Sequence, residues 1–492
     1  MLPPIAWRPV ALVAALTSGT LIALAGRYGY HRDELYYLVA GRHPAWGYDD
    51  QPPLVPLVGR LMADVSGGAL TALRLPSALL VGVTVLLVAL LAREMGGGRA
   101  AQVLAAVCWA TAPQVIVSGH LLSTTPFDLF FWTLLAYLLV RWIRTRDDRL
   151  LLAGGAVVGV GLEAKNLILL YVAGLLAGVA ISGPRDLFRR PALWIGGAIA
   201  LLLWAPNLWW QATHGWPQVE MTAVIRQDAD FGGRLGLLPS QLLMIGPPLA
   251  VVWGVGLWRL LRDTARTHRA FGWAYLVVLA LVLATGGREY YPGGAYPPLL
   301  AAGAVAVTGW LAAHRRRWVL VAAAVLAVNA TVTVMIGLPV FPARILKDTP
   351  QAALNYDSGE TVGWPELTAA VARVRDGLPP GERDTVVVLT ANYGEAGAID
   401  RYGSRHGLPP AYSGHLGFWR WGPPPDTATG PVILIGHWTA ADTAPYCESF
   451  TPAGRQDNGY GLDNEEQGVP IAVCRGLKGS WSALWPDLRR LG

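Results

Sequence analysis

The chain has 492 residues, of which 53% are hydrophobic and only 15% charged, against about 25% charged in an ordinary soluble domain; this excludes a water-soluble enzyme throughout. Its formal net charge of +6 divides unevenly: residues 1–339 hold 26 basic and 16 acidic side chains, residues 340–492 hold 13 and 17. The basic excess lies between apolar stretches, where the positive-inside rule accounts for it, so nucleic acid is not implied as a partner.

A run of about 20 apolar residues crosses a bilayer core of about 30 Å. Such runs predict spans near 5–26, 72–92, 100–117, 126–143, 151–164, 167–182, 193–210, 239–258, 270–286, 296–313 and 318–338, eleven in all. The first ends Ala23-Leu24-Ala25, a passable signal-peptidase site. Only Arg8 precedes it, however, and the run exceeds a usual signal core, so a membrane helix is expected. Loops 93–99, 141–149, 185–190, 259–269 and 315–317 collect sixteen arginines and should face the cytoplasm. Loops 118–125, 165–166, 211–238 and 287–295 carry only Lys165, Arg226, Arg234 and Arg288 and should face outward. An odd number of crossings places the tail outside too. The same parity favours two short helices in 151–182, meeting around Glu163-Ala164-Lys165-Asn166, over one long tilted helix.

Two polar regions interrupt this pattern. In the first outer loop, 27–71, the stretches Glu34 to Arg42 and Pro53 to Asp64 read as short amphipathic helices in the membrane interface. The tail has strand-like runs at 385–390, 431–435 and 469–473 and helical patterns at 365–376 and 393–403, a small soluble α/β domain. The expected division is a polytopic α-helical catalytic domain over 1–339, with loop 27–71 carrying the active site, and an extracytoplasmic domain over 340–492. Cys447 and Cys474 lie 27 positions apart in a tail placed in an oxidising compartment, which predicts a disulfide. Cys108 falls in a span, and no cysteines have zinc-ligand spacing. Gly96-Gly97-Gly98 lacks the Lys-Ser/Thr of a nucleotide loop.

The first loop carries His31-Arg32-Asp33-Glu34, then Trp46-Gly47-Tyr48-Asp49-Asp50-Gln51-Pro52-Pro53-Leu54, then Arg74-Leu75-Pro76-Ser77. Carboxylates just above a membrane suit a reaction on a lipid-linked substrate, because a general base must lie within hydrogen-bond reach of the acceptor hydroxyl. Solvated interfacial acids give the same pattern on chemistry alone. With Pro206-Asn207-Leu208-Trp209-Trp210-Gln211, His214-Gly215-Trp216-Pro217, Glu289-Tyr290-Tyr291 and Asn392-Tyr393-Gly394-Glu395-Ala396-Gly397-Ala398, the chain resembles the membrane glycosyltransferases of family 39. That family includes protein O-mannosyltransferases and the lipid A aminoarabinose transferase, and the likeness is nearest to a bacterial branch with a short α/β tail.

The resemblance implies the GT-C fold, a polyprenyl-phosphate sugar as donor, a hexose such as mannose as the sugar, and inverting transfer to a hydroxyl acceptor on the outer face. A pentose or amino-sugar transferase of the same fold is the alternative within enzymes. A transporter or flippase of lipid-linked sugars is the alternative outside them, disfavoured because no inverted repeat appears between the halves. Mapped by the resemblance, the first-loop acid falls on Asp33 as general base, with Glu34 sharing the role or orienting the helix start. Lys165 is the lone lysine among the first 339 residues; an intramembrane ammonium marks a site, here the donor phosphate or an ion pair with Glu163 or another acid. Arg288 is a second phosphate candidate, or a snorkelling interfacial arginine. Asp128, with His31, Asp49, Asp50, Tyr290 and Tyr291, is a candidate for the substrate cavity; a helix-dipole role is equally open for Asp128. Asp49 and Asp50 are the acids to which a divalent cation would be assigned, but no repeated Asp-x-Asp with a histidine at metal spacing calls for one.

Overall fold

The computed structural model describes residues 2–227, 233–264 and 267–492. Residues 228–232 of the expected loop 211–238, and Arg266 of the arginine-rich loop 259–269, lie outside the described residues. The chain forms two compact units. One comprises residues 1–25, 51–55 and 74–338, the other residues 26–50, 56–73 and 339–492. Most of the first loop thus folds in one unit with the tail.

The first unit is helical. Trp7–Leu24, Leu70–Glu94, Thr124–Thr145, Pro191–Thr213, Tyr291–Ala312 and Arg316–Gly337 are each long and apolar enough to cross a membrane. Two further stretches are bent: Arg99–Ala110 with Pro113–His120 by 56°, and Gly236–Ile245 with Pro247–Arg262 by 92°. The causes are local. Pro113 removes an amide donor at the first bend, and Gly246 (φ 96°) followed by Pro247-Pro248 breaks the second. Arg149–Leu162, Ile168–Ser182 and Arg269–Thr285 have 14, 15 and 17 residues, about 21 to 26 Å of helix at 1.5 Å per residue.

All eleven expected spans coincide with one of these elements. Six qualify alone and eight if each bent pair counts as one, fewer than the eleven crossings expected, because the remaining three helices are short of a full hydrocarbon thickness. The break at Glu163–Leu167 between two short helices is present as expected. Close approach is made by small residues: a Cβ on Gly174 would sit 2.8 Å from the Ala274 carbonyl oxygen, the small-residue packing that membrane helices use where no hydrophobic drive exists.

In the second unit a five-stranded sheet has the order β2-β1-β3-β5-β4, with β1 Val387–Thr390, β2 Ala411–Ser413, β3 Val432–Ile435, β4 Cys447–Arg455 and β5 Pro470–Leu477. β1 pairs in parallel with β2 and β3, and β5 runs antiparallel to β3 and β4. β1 and β3 are buried at every position, the signature of a parallel core covered on both faces. The expected strands 385–390, 431–435 and 469–473 are β1, β3 and β5, and the expected helices are Trp364–Asp376 and Tyr393–Tyr402. β2 and β4 are additions. β4 is almost wholly exposed beyond Cys447 and carries Pro452 and Gly454 at a register shift, so no apolar alternation marks it. Cys447 and Cys474 form the expected disulfide between β4 and β5, with Cα atoms 5.8 Å apart.

Helix Arg32–Arg42 is not amphipathic as expected: Glu34, Leu35, Tyr36, Tyr37, Val39, Ala40 and Gly41 are all buried, so burial runs around the helix rather than along one stripe. Helix Leu54–Ser66 does keep a stripe, with Leu57, Leu61 and Val65 exposed at four-residue spacing.

Candidate active site

Acids dominate the site in the second unit. His31 is the N-cap of helix Arg32–Arg42: its Nδ1 accepts from the Asp33 amide at 3.2 Å, while Glu34 Oε2 accepts from the His31 amide at 2.9 Å. Glu34 is fully buried in this capping box. Glu34 thus caps the helix start, whereas the Asp33 side chain is 35% exposed. One Asp33 oxygen, Oδ1, accepts from the Tyr393 hydroxyl at 2.7 Å. The other, Oδ2, lies 3.9 Å from His31 Nδ1.

The neighbouring acids are held differently. Asp49 is buried and gripped by Arg420, whose Nε donates to both carboxylate oxygens at 2.8 Å and whose Nη2 lies 2.7 Å from Oδ1. Asp50 accepts from the Tyr36 hydroxyl at 3.0 Å, and burial pushes its carboxyl up to about 7. Among the described residues no group of three His, Cys, Asp or Glu side chains is arranged to hold a metal ion. Tyr393, Tyr36 and Arg420 escaped the sequence reading as site residues; Tyr393 lay in a noted motif, whereas Arg420 lies in a stretch with no pattern of its own.

His31 is buried, which disfavours its charged form, yet the Asp357 carboxylate 3.7 Å from Nε2 and the charge of Asp33 outweigh this and raise its pKa above the ordinary value. Asp357 is correspondingly held low: burial raises it, but His31 and then Arg32 pull it below the usual range. Deeper in the unit, burial pushes Glu395 up to about 7 from 4.5, and burial together with the Glu395 charge drives Glu466 up. These last two acids set the sign of a pH dependence. A buried acid whose folded pKa is raised favours the folded state at low pH, and that advantage is lost as pH rises through the folded value. His31 acts in the same sense and Asp357 in the opposite one, at the acid end. The melting temperature of the tail unit in the full-length, detergent-solubilised protein is therefore expected to fall between about pH 5 and pH 8. Glu466→Gln, which keeps an acceptor for Asn392 and removes the ionisation, should flatten that fall; an unaltered slope in the variant would refute the assignment.

The site in the first unit is cationic and aromatic. Lys165 lies in the turn between helices Arg149–Leu162 and Ile168–Ser182, its Nζ 4.9 Å from the Tyr290 ring centroid and 5.5 Å from that of Tyr291. The alternative pairing with Glu163 is not formed: both Glu163 carboxylate oxygens are buried without a hydrogen-bond partner. Asp128 instead supplies the acidic charge that acts on Lys165. Asp128 is buried beyond the first turn of helix Thr124–Thr145, where it accepts from Trp132 Nε1 at 2.8 Å. This places it one residue past the first turn, which is where the helix dipole acts most strongly.

Trp132 in turn stacks on Tyr171 at 4.6 Å. The Tyr290–Tyr291 segment is fixed from below, because Gln114 donates to the Tyr290 carbonyl and Gln241 to the Glu289 carbonyl, both at 2.8 Å. A Cβ on Gly294 would fall 2.5 Å from Trp132, so glycine is required for this segment to lie against the ring. Arg288 acts electrostatically on Tyr291 and thus belongs to the same neighbourhood. Gln114, Trp132 and Tyr171 are further members that apolar periodicity concealed, since each reads as an ordinary helix residue.

Comparison with known proteins agrees with this architecture. Residues 50–210 match the family described as dolichyl-phosphate-mannose-protein mannosyltransferase. The lipid A galacturonosyltransferase RgtD of Rhizobium johnstonii is 26% identical over 427 residues, covering 84% of this chain and 87% of that protein. The lipopolysaccharide core galacturonosyltransferase RgtB of the same organism is 27% identical over 208 residues, 42% of each chain. Among solved structures, ArnT from Cupriavidus metallidurans bound to undecaprenyl phosphate superposes with a TM-score of 0.60 at 17% identity, over 94% of this chain and 97% of that one. Arabinofuranosyltransferase AftD from Mycobacteria superposes with a TM-score of 0.54 at 14% identity, over 96% of this chain and 40% of the other. The fold is the GT-C fold that the first-loop residues led us to expect.

Proposed function

We propose that this chain, a membrane glycosyltransferase of the GT-C fold using a polyprenyl-phosphate sugar, transfers galacturonic acid to a hydroxyl of lipid A or of the lipopolysaccharide core. The observation that carries the choice of sugar and acceptor is the likeness to RgtD along 84% of the chain. It outweighs mannose, which rests on the description of a family matched over residues 50–210. In the proposed reaction Asp33 takes the proton of the acceptor hydroxyl as its oxygen bonds to the anomeric carbon. The bond from that carbon to the phosphate oxygen breaks with inversion, and the lipid phosphate leaves with the bonding electrons.

The test is direct: purified protein is given lipid A with either undecaprenyl-phosphate galacturonic acid or undecaprenyl-phosphate mannose, and the lipid products are weighed by mass spectrometry. Gain of one hexuronic acid residue from the first donor is expected. Gain of a hexose from the second, with no product from the first, would restore mannose.

The tail domain is placed outside the cytoplasmic membrane in this reading. The sixteen arginines in alternate loops support it, as does a Cys447–Cys474 bridge of the kind that persists in oxidising compartments. A reporter active only in the cytoplasm, fused after Gly492, should be silent, and strong activity there would reverse the orientation.

A further inference from the structure

We infer that Tyr393 is a positioning residue for Asp33, aimed by a clamp that Asn392, Glu395 and Glu466 form at the start of helix Tyr393–Tyr402. The inference rests on the proposal that Asp33 is the base, and every contact it uses lies within the second unit.

Asn392 is held from both sides. Its side-chain oxygen accepts from the Glu395 amide at 2.8 Å, Glu395 Oε2 accepts from the Asn392 amide at 2.9 Å, and Asn392 Nδ2 donates to Glu466 Oε1 at 2.9 Å. Tyr393, the first helical residue, therefore leaves the cap in one direction. Its ring packs between those of Tyr36 and His415, with centroids 5.2 and 5.1 Å away, and its hydroxyl reaches Asp33 Oδ1. Two glycines make that reach available. A Cβ on Gly394 would lie 2.8 Å from Arg32 Cβ, and one on Gly397 would lie 2.8 Å from Leu35 Cβ and 3.1 Å from its carbonyl carbon. The bare face of this helix thus lets helix Arg32–Arg42 come close enough for the bond to form.

The chemical consequence follows from which oxygen is occupied. A carboxylate can rotate about its Cβ–Cγ bond, and a base that rotates presents its lone pairs to the acceptor only part of the time. The Tyr393 hydroxyl fixes the plane by holding Oδ1 and leaves Oδ2 to receive the proton. The other charged and titratable groups facing Asp33 are His31 and Arg32 on its own segment and Asp50 on the loop that follows.

Transfer kinetics of the full-length protein with undecaprenyl-phosphate galacturonic acid test this. Tyr393→Phe keeps the ring and its packing; we expect kcat about 10- to 100-fold lower and an unchanged KM for the donor. Asn392→Ala should reproduce this pattern, and the double variant should be no slower than Tyr393→Phe, because both changes act on one contact. Wild-type kcat in Tyr393→Phe, alongside an inactive Asp33→Asn, would overturn the inference while leaving the base in place. An active Asp33→Asn would instead remove the base assignment on which it rests.

Discussion

Asp33→Asn is expected to lower the transfer rate by about 10²- to 10⁴-fold, the usual cost of removing a general base, while the protein stays folded and still binds the lipid-linked donor. The substitution keeps shape and removes basicity, and an asparagine oxygen can still accept from the Tyr393 hydroxyl, so the local framework survives. Glu34→Gln is the matched control. Glu34 is fully buried and its carboxylate is used in accepting from the His31 amide; glutamine serves equally well at that position of a capping box, so near-normal transfer is expected. The neighbouring acids offer poorer bases for a structural reason: Asp49 is held on both oxygens by Arg420, and Asp50, half-buried, is bonded to the Tyr36 hydroxyl. The assay is single-turnover transfer with donor binding measured separately. Near-normal transfer by Asp33→Asn, or a larger loss in Glu34→Gln, would move the base elsewhere.

What the sequence made legible follows from the kind of signal each element carries. Apolar length placed all eleven helical segments, because a bilayer imposes a length that a one-dimensional pattern can report. By length and apolarity six to eight of them qualify as spans, since short helices such as Ile168–Ser182 look the same as long ones when only apolarity is read. In the tail, β1, β3 and β5 were visible as continuous apolar runs, whereas β4 is an exposed strand defined by its pairing with β5 and has no pattern of its own.

The site shows the same division. Asp33 and Lys165 stood out because each is chemically odd in its surroundings. Arg420 is 371 positions from Asp49 and Tyr393 is 360 from Asp33; nothing in linear spacing announces a partner that distant. The Asn392–Glu395 spacing is an exception, since an asparagine followed three residues later by glutamate is a recognisable helix start. That signal locates the helix, but not the hydroxyl that the helix delivers.

Lys165→Met should weaken donor binding by about 10- to 100-fold, the equivalent of roughly 1.5–3 kcal/mol for a hydrogen bond to a charged group, and should slow transfer as well. Among the described residues the Lys165 ammonium makes no salt bridge, and its close contacts are the faces of Tyr290 and Tyr291. A cation over an aromatic ring gains about 0.5–2 kcal/mol, too little to compete with a phosphate yet enough to keep the side chain aimed. Asp128 adds an acidic side chain to the same neighbourhood. A leaving phosphate gains charge as the sugar departs, so an ammonium placed there stabilises the transition state more than the bound donor. Both affinity and rate should therefore fall in the methionine variant, which conserves the length and apolar stem of lysine. Lys165→Arg should recover part of the binding and less of the rate, because a planar guanidinium meets the phosphate in a different geometry from a point charge on a flexible stem. Affinity for undecaprenyl phosphate, measured by titration, separates the two effects from any loss of fold. If binding and turnover both survive Lys165→Met in a folded protein, the lysine only braces the two tyrosines, and the phosphate must be held by another cation, with Arg288 the first to substitute.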